Sequence, residues 1–156
     1  MVAAPFFFLI FAVLELGTVF LVDAMLENAV MNASRLVRTG QADTQNISAA
    51  QFKTALCAKM SVFQGDCATR ADVDVRLMPN FSAGPPPSPI QNGVMNTGDL
   101  QYDKGQPGDL MLVRVWYSQP LVTPFLQKAV SRLKSGAVVM SVATAFRNAP
   151  YKGPTP

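Results

Sequence analysis

The chain has 156 residues, a net charge of +3 and no histidine. Its 13 Lys and Arg are scattered rather than clustered, which argues against a nucleic-acid-binding face. The lack of histidine removes imidazole triads, the commonest general base and the commonest metal ligand, so no enzyme, metal site or cofactor is expected.

Apolar residues make up 49% of the chain and crowd its start. Val2 to Val22 contains one ionisable residue, Glu15, and about 21 residues at ~1.5 Å each match the ~30 Å hydrocarbon core of a bilayer. A cleaved signal peptide would carry a basic leading region and a small-residue cleavage site, and neither is present. A buried core helix would rarely be apolar on every face in so short a chain. A retained transmembrane helix over 2–22 is therefore expected. No Lys or Arg precedes it, and Asp23 and Glu27 follow closely, which favours a C-terminus outside the cytoplasm. A carboxylate in an apolar span is costly. Glu15 is thus read either as a docking group for a partner transmembrane helix or as a neutral acid bonded within its own helix. Gly17 would let another helix approach closely beside it.

Past the span, Met25, Leu26, Ala29, Val30, Ala33, Leu36 and Val37 recur at helical spacing, and Gly40 is placed as a C-cap. This predicts one helix from about residue 4 to 39, with 23–40 continuing it in water. Gln41 to Asn46 reads as a loop. Ser48 and Gln51 form a capping-box pair for a second helix through Phe52, Leu56 and Met60 to Val62, which Gly65 and Asp66 end before Cys67. Val73, Val75 and Leu77 alternate with polar residues as a half-buried strand. Residues 79–107, rich in Pro and Gly, read as a long and partly disordered loop. Leu110 to Tyr117 is a second strand, broken by Pro120 to Pro124. Phe125 to Leu133 is helical, and Ala137 to Phe146 is a third strand. Asn148 to Pro156 reads as a frayed end, with 151–156 as the tail beyond a domain of 41–150. The fold class is α+β: a long N-terminal helix packed on a small antiparallel sheet of about three strands, since helix stripe and sheet face each need a cover.

Cys57 and Cys67 have no zinc-like spacing and form a disulfide if the domain lies in an oxidising compartment; otherwise they are two core thiols. Asp72, Asp74 and Asp103 lack calcium-loop spacing and read as solvated. Arg114 and Trp116 share a strand face, where they either stack or, on the favoured reading, form an exposed pair.

The segments Val2-Ala3-Ala4-Pro5-Phe6-Phe7-Phe8, Leu14-Glu15-Leu16-Gly17, Leu26-Glu27-Asn28-Ala29 and Ala33 to Gln41 resemble the TadE-like family. So do Phe52 to Cys57, Val113-Arg114-Val115-Trp116-Tyr117 and Ala145-Phe146-Arg147-Asn148. The resemblance implies a pseudopilin of a tight-adherence (Flp) pilus-assembly system. It would be single-pass in a bacterial inner membrane, with a periplasmic C-terminal domain, and partnered in a hetero-oligomer by other pseudopilins through its transmembrane helix. Glu15 matches the later of the family's two membrane glutamates. The Gly-Ala-rich processing site and Glu-Phe-Ala stretch that precede such a segment in the family are not in this sequence, which implies a chain that starts late or a processed form. A second reading is a membrane-anchored periplasmic binding module. It would use the Trp116 strand and the Pro-rich loop against a ligand or cell-wall component, and it expects the domain from about Gln41 to keep function.

Overall fold

The computed structural model describes residues 3–151. Helix α1 runs unbroken over Ala3–Arg38, the single helix expected from periodicity. Pro5 sits in its first turn, where its missing N–H costs nothing. Arg35 and Arg38 occupy the last turn, where cations complement the helix dipole. Gly40 ends the helix at φ 74°, in the left-handed region that favours glycine.

The two halves of α1 have opposite surroundings. Phe6, Phe7, Phe8, Leu9 and Phe11 are exposed, whereas Val22, Leu26, Ala29, Val30 and Val37 are completely buried. The buried stripe meets a three-stranded antiparallel sheet of order β1-β4-β5. Its strands are β1 (Ala71–Leu77), β4 (Leu110–Pro120) and β5 (Ala137–Arg147). The architecture is α+β, as expected. Deleting the Leu26 side chain to Ala would remove apolar contact and leave a void, at about 2–5 kcal/mol.

Register assigns the sheet's two faces. Val75 opposes Val113, Val73 opposes Val115 and Ala71 opposes Tyr117, and these residues face the helices. Asp74 opposes Arg114, and Asp72 opposes Trp116, so these lie on the other face. The 79–107 segment is a long, mostly irregular loop, as expected, and it lies against the Asp74–Arg114 part of that second face. It contains a hairpin of β2 (Ile90–Gln91) and β3 (Val94–Met95). Asn92 and Gly93 turn it with positive φ at both positions, the Asn-Gly geometry that suits hairpin twist. Farther on, Val75 donates its N–H to Gln101 and accepts from that of Asp103, both at 2.8 Å, which occupies the outer edge of β1.

Between α1 and β1 lie α2 (Gln41–Thr44), α3 (Ala49–Cys57), one 3₁₀ turn (Ser61–Phe63) and α4 (Gln64–Arg70). The expected loop at 41–46 is thus mostly a helical turn that buries Ala42. The capping box forms as read: Ser48 Oγ accepts from Gln51 N–H, and Gln51 Oε1 accepts from Ser48 N–H. The second helix is shorter than expected. It ends at Cys57, and Val62 is exposed. Gly65 and Asp66 do not stop a helix but lie inside α4, where Asp66 pairs with Arg70 at 3.1 Å one turn on. Helix α5 (Pro124–Val130) ends before Leu133.

The expected fraying from Asn148 is corrected as far as Tyr151. Asn148 is 2% exposed and donates its N–H to the Asp109 carbonyl at 2.8 Å; Ala149 N–H caps the Arg38 carbonyl at 2.8 Å. The Tyr151 hydroxyl lies 3.3 Å from both Asp43 Oδ2 and the Gly105 carbonyl and shares its one hydrogen between them. These contacts satisfy a helix-end carbonyl that α1 cannot satisfy itself. Val2, at the start of the expected span, and the tail residues 152–156 lie outside the described residues.

Candidate functional site

Two places bring together residues of interest. The first is the junction between α1 and the loop after β4. Pro120 ends that strand and Pro124 opens α5, so the intervening backbone is irregular and its amides need partners. Glu15 supplies them: its carboxylate accepts from the Val122 N–H and, at 2.9 Å, from the Thr123 N–H. Two amide donors on one carboxylate make a charge-assisted grip. Glu15 is therefore held neither by its own helix nor by open solvent but by a loop 107 residues away. A groove of about 410 Å³ opens beside the grip, between Phe11, Leu14, Thr18 and Val19 of α1 and Gln119, Pro120 and Val122. Gly17 points elsewhere. A Cβ added there would meet nothing within 4 Å, so that face of α1 is open.

The second place is the sheet face under the Pro-rich segment. Asp74 is fully buried, which corrects its reading as a solvated residue. The Arg114 guanidinium donates to Asp74 Oδ2 through Nε at 3.0 Å and Nη2 at 2.8 Å, and through Nη1 to the Pro86 carbonyl at 2.8 Å. Arg76 Nε adds a further bond to Asp74 at 2.9 Å, and Gln101 N–H another at 2.9 Å. Burial pushes the Asp74 carboxyl up, but the bonds from Arg76, Gln101 and Arg114 more than offset it, so it titrates below its ordinary value. Arg114 also stacks on Trp116, 4.9 Å from the ring centroid, a cation–π contact. Both side chains are buried, which corrects their reading as an exposed pair.

This cluster escaped the sequence reading because alternation marks Asp74 as facing away from one core without saying what covers the other side. One signal was available: Arg114 is the lone charge in Leu110–Tyr117, a strand apolar at almost every other position, and a lone charge there calls for a buried partner. A groove of about 340 Å³ follows the cluster, lined by Pro85, Pro86, Ser88, Trp116, Ser141 and Ala143.

Cys57 and Cys67 are joined by a disulfide, with Cα atoms 5.5 Å apart. Because α4 contains Cys67, the bridge ties two helices rather than a helix and a loop. Among the described residues, no group of three or more His, Cys, Asp or Glu is placed to share a metal ion. Asp103 instead accepts from the Gly105 N–H at 2.9 Å, within a turn.

One helix, α1, is long and apolar enough to cross a membrane; its most apolar window has mean hydropathy 2.3 and is 6% buried in the protein. Protein-family models, curated proteins and solved structures were all searched, and none matches the chain.

Proposed function

We propose that this protein is a membrane-anchored, pseudopilin-like component of a Tad/Flp-type pilus-assembly or secretion system. It sits in a bacterial inner membrane as a single-pass protein with its C-terminal domain in the periplasm. It acts by packing α1 against the helices of partner subunits and performs no catalysis. One observation carries this reading: a single unbroken helix supplies both an exposed apolar half of membrane length and the stripe that covers the sheet. A subunit built this way passes any force or displacement of its anchor directly to its domain. The disulfide suits an oxidising compartment.

Gly17→Leu tests this reading. A Cβ added there meets nothing within 4 Å, so a larger side chain projects from an open face of α1, where it obstructs the approach of another helix. Co-purification with pilus subunits and pilus formation should be lost, while membrane insertion and the urea unfolding midpoint stay unchanged. Normal assembly would contradict helix packing at this face.

The groove along Trp116 favours a second reading, a binding module for a ligand or cell-wall component. Arg114 is already engaged by Asp74 and two carbonyls and covers the Trp116 ring, so such a ligand would be recognised by the shape of the groove rather than by charge. Trp116→Ala would abolish its binding without affecting assembly.

A further inference from the structure

We propose that the loop and helix after β4, residues 121–134, form a second membrane contact that lies at the headgroup–acyl boundary of an anionic bilayer beside the anchor. This inference rests on the reading of α1 as a membrane anchor. Three independent observations lead to it.

The first is depth. The Glu15 grip fixes Val122 and Thr123 at the level of residue 15. Val22 is the first residue of α1 that is completely buried. Seven residues of helix separate these levels, about 10 Å at the standard rise. The loop thus reaches roughly 10 Å along the apolar half of the helix, the depth at which interfacial elements bury their apolar face.

The second is surface chemistry. Val122 is 85% exposed and Phe125 64% exposed, and Phe20 on α1 is 70% exposed. Val122, which shares a groove with Phe11 and Leu14 of α1, and Phe125 extend the apolar surface of the anchor onto the domain. In water they would form an unsupported patch; in lipid they are solvated.

The third is charge. Residues 120–136 contain Lys128, Arg132 and Lys134 and no acid, and all three cations are exposed. Basic residues just outside an apolar contact are attracted to anionic headgroups. The same lobe therefore offers apolar groups to the acyl region and cations to the headgroups. The Glu15 carboxylate, otherwise costly at this depth, is matched by the two amides of the loop that accompanies it.

The test uses the full chain in vesicles of phosphatidylcholine, with and without phosphatidylglycerol. Its native disulfide is kept, and one added cysteine carries an environment-sensitive fluorophore at Val122→Cys, Phe8→Cys or Thr54→Cys. Lipids with a quencher near the glycerol end of the acyl chain should quench the Val122→Cys probe severalfold more than the Thr54→Cys probe. Replacing Lys128, Arg132 and Lys134 with Ser should remove the extra quenching that phosphatidylglycerol brings. Quenching at Phe8→Cys with none at Val122→Cys would overturn the inference and leave the anchor intact. No quenching at Phe8→Cys would overturn the anchor reading itself. Disulfide cross-linking between Val122→Cys copies without lipid quenching would assign this face to a second copy and likewise overturn the proposal.

Discussion

Arg114 Nη2 lies 2.8 Å from Asp74 Oδ2 across two neighbouring strands, in a pair whose acid is fully buried. The same guanidinium holds the carbonyls of Pro86 and Pro87, so one ion pair both joins β1 to β4 and fastens the Pro-rich segment over the sheet. Removing one partner leaves the other charge buried and unmatched, so Asp74→Ala should destabilise the protein by about 3–5 kcal/mol. Urea denaturation of the full chain in detergent measures this. Because the segment is held through Arg114, Arg114→Met should also make residues 79–89 sensitive to limited proteolysis.

The pH dependence of this cluster has a definite sign. Asp74 titrates below its ordinary value in the folded protein. A depressed carboxyl stabilises the fold above the unfolded value of about 3.9, and that contribution disappears as pH falls through the lower native value. The wild type should therefore lose stability steeply in acid, and Asp74→Asn, already weakened at neutral pH, should lose less. Parallel steepness in the two proteins would contradict the assignment.

Asp72 behaves in the opposite sense. Burial raises its carboxyl, and the attraction of Lys53 only partly offsets this. A raised acid is disfavoured when ionised in the folded state. Its cost is present above the native pKa and relieved as pH falls below the unfolded one. Asp72→Asn should thus raise the urea midpoint at neutral pH and give no gain in strong acid.

The Cys57–Cys67 bridge closes a loop with a sequence separation of 10. Replacing both with Ser should cost about 2–3 kcal/mol by the chain-entropy relation. A thiol count on freshly isolated, non-reduced protein should find none free.

At Gly40, a side chain would meet the ring of Tyr151 at a backbone φ of 74°. Gly40→Ala should therefore both strain the end of α1 and displace Tyr151. A fall in the thermal midpoint, with increased proteolysis of the C-terminus, checks this.

Local features of the fold were legible in the sequence. The stripe from Met25 to Val37, the Ser48–Gln51 capping box and the alternation in β4 and β5 each depend on near neighbours, so periodicity and spacing reveal them; Val22, assigned to the membrane span, is instead completely buried in the core. What was misread depends on distant contacts. Gly65 and Asp66 looked like a helix stop, yet a disulfide and the Asp66–Arg70 pair accompany a helix through them. The 79–107 segment read as a loop from its Pro and Gly content. What the reading could not supply is where it attaches: its bonds to Arg114 and Asp74 join residues 27 and 28 positions apart. Glu15 was legible as an unusual residue, but its partner was not, since nothing local links it to Val122. A piece starting at Gln41, which the binding-module reading expects to function alone, would lack Val22, Leu26, Ala29, Val30 and Val37, which form one side of the core.

A shorter chain from Thr18 keeps that whole stripe and loses the exposed apolar half of α1 together with the Glu15 bonds to Val122 and Thr123, which makes it the most direct reagent. In the organism that encodes the protein, the gene is deleted and replaced either by the full chain or by the chain from Thr18 fused to a cleavable export signal, and surface pili are counted by electron microscopy. Assembly through the anchor predicts that pili vanish on deletion and return only with the full chain. Normal piliation in the deletion strain, or equal rescue by the shorter chain, would contradict it.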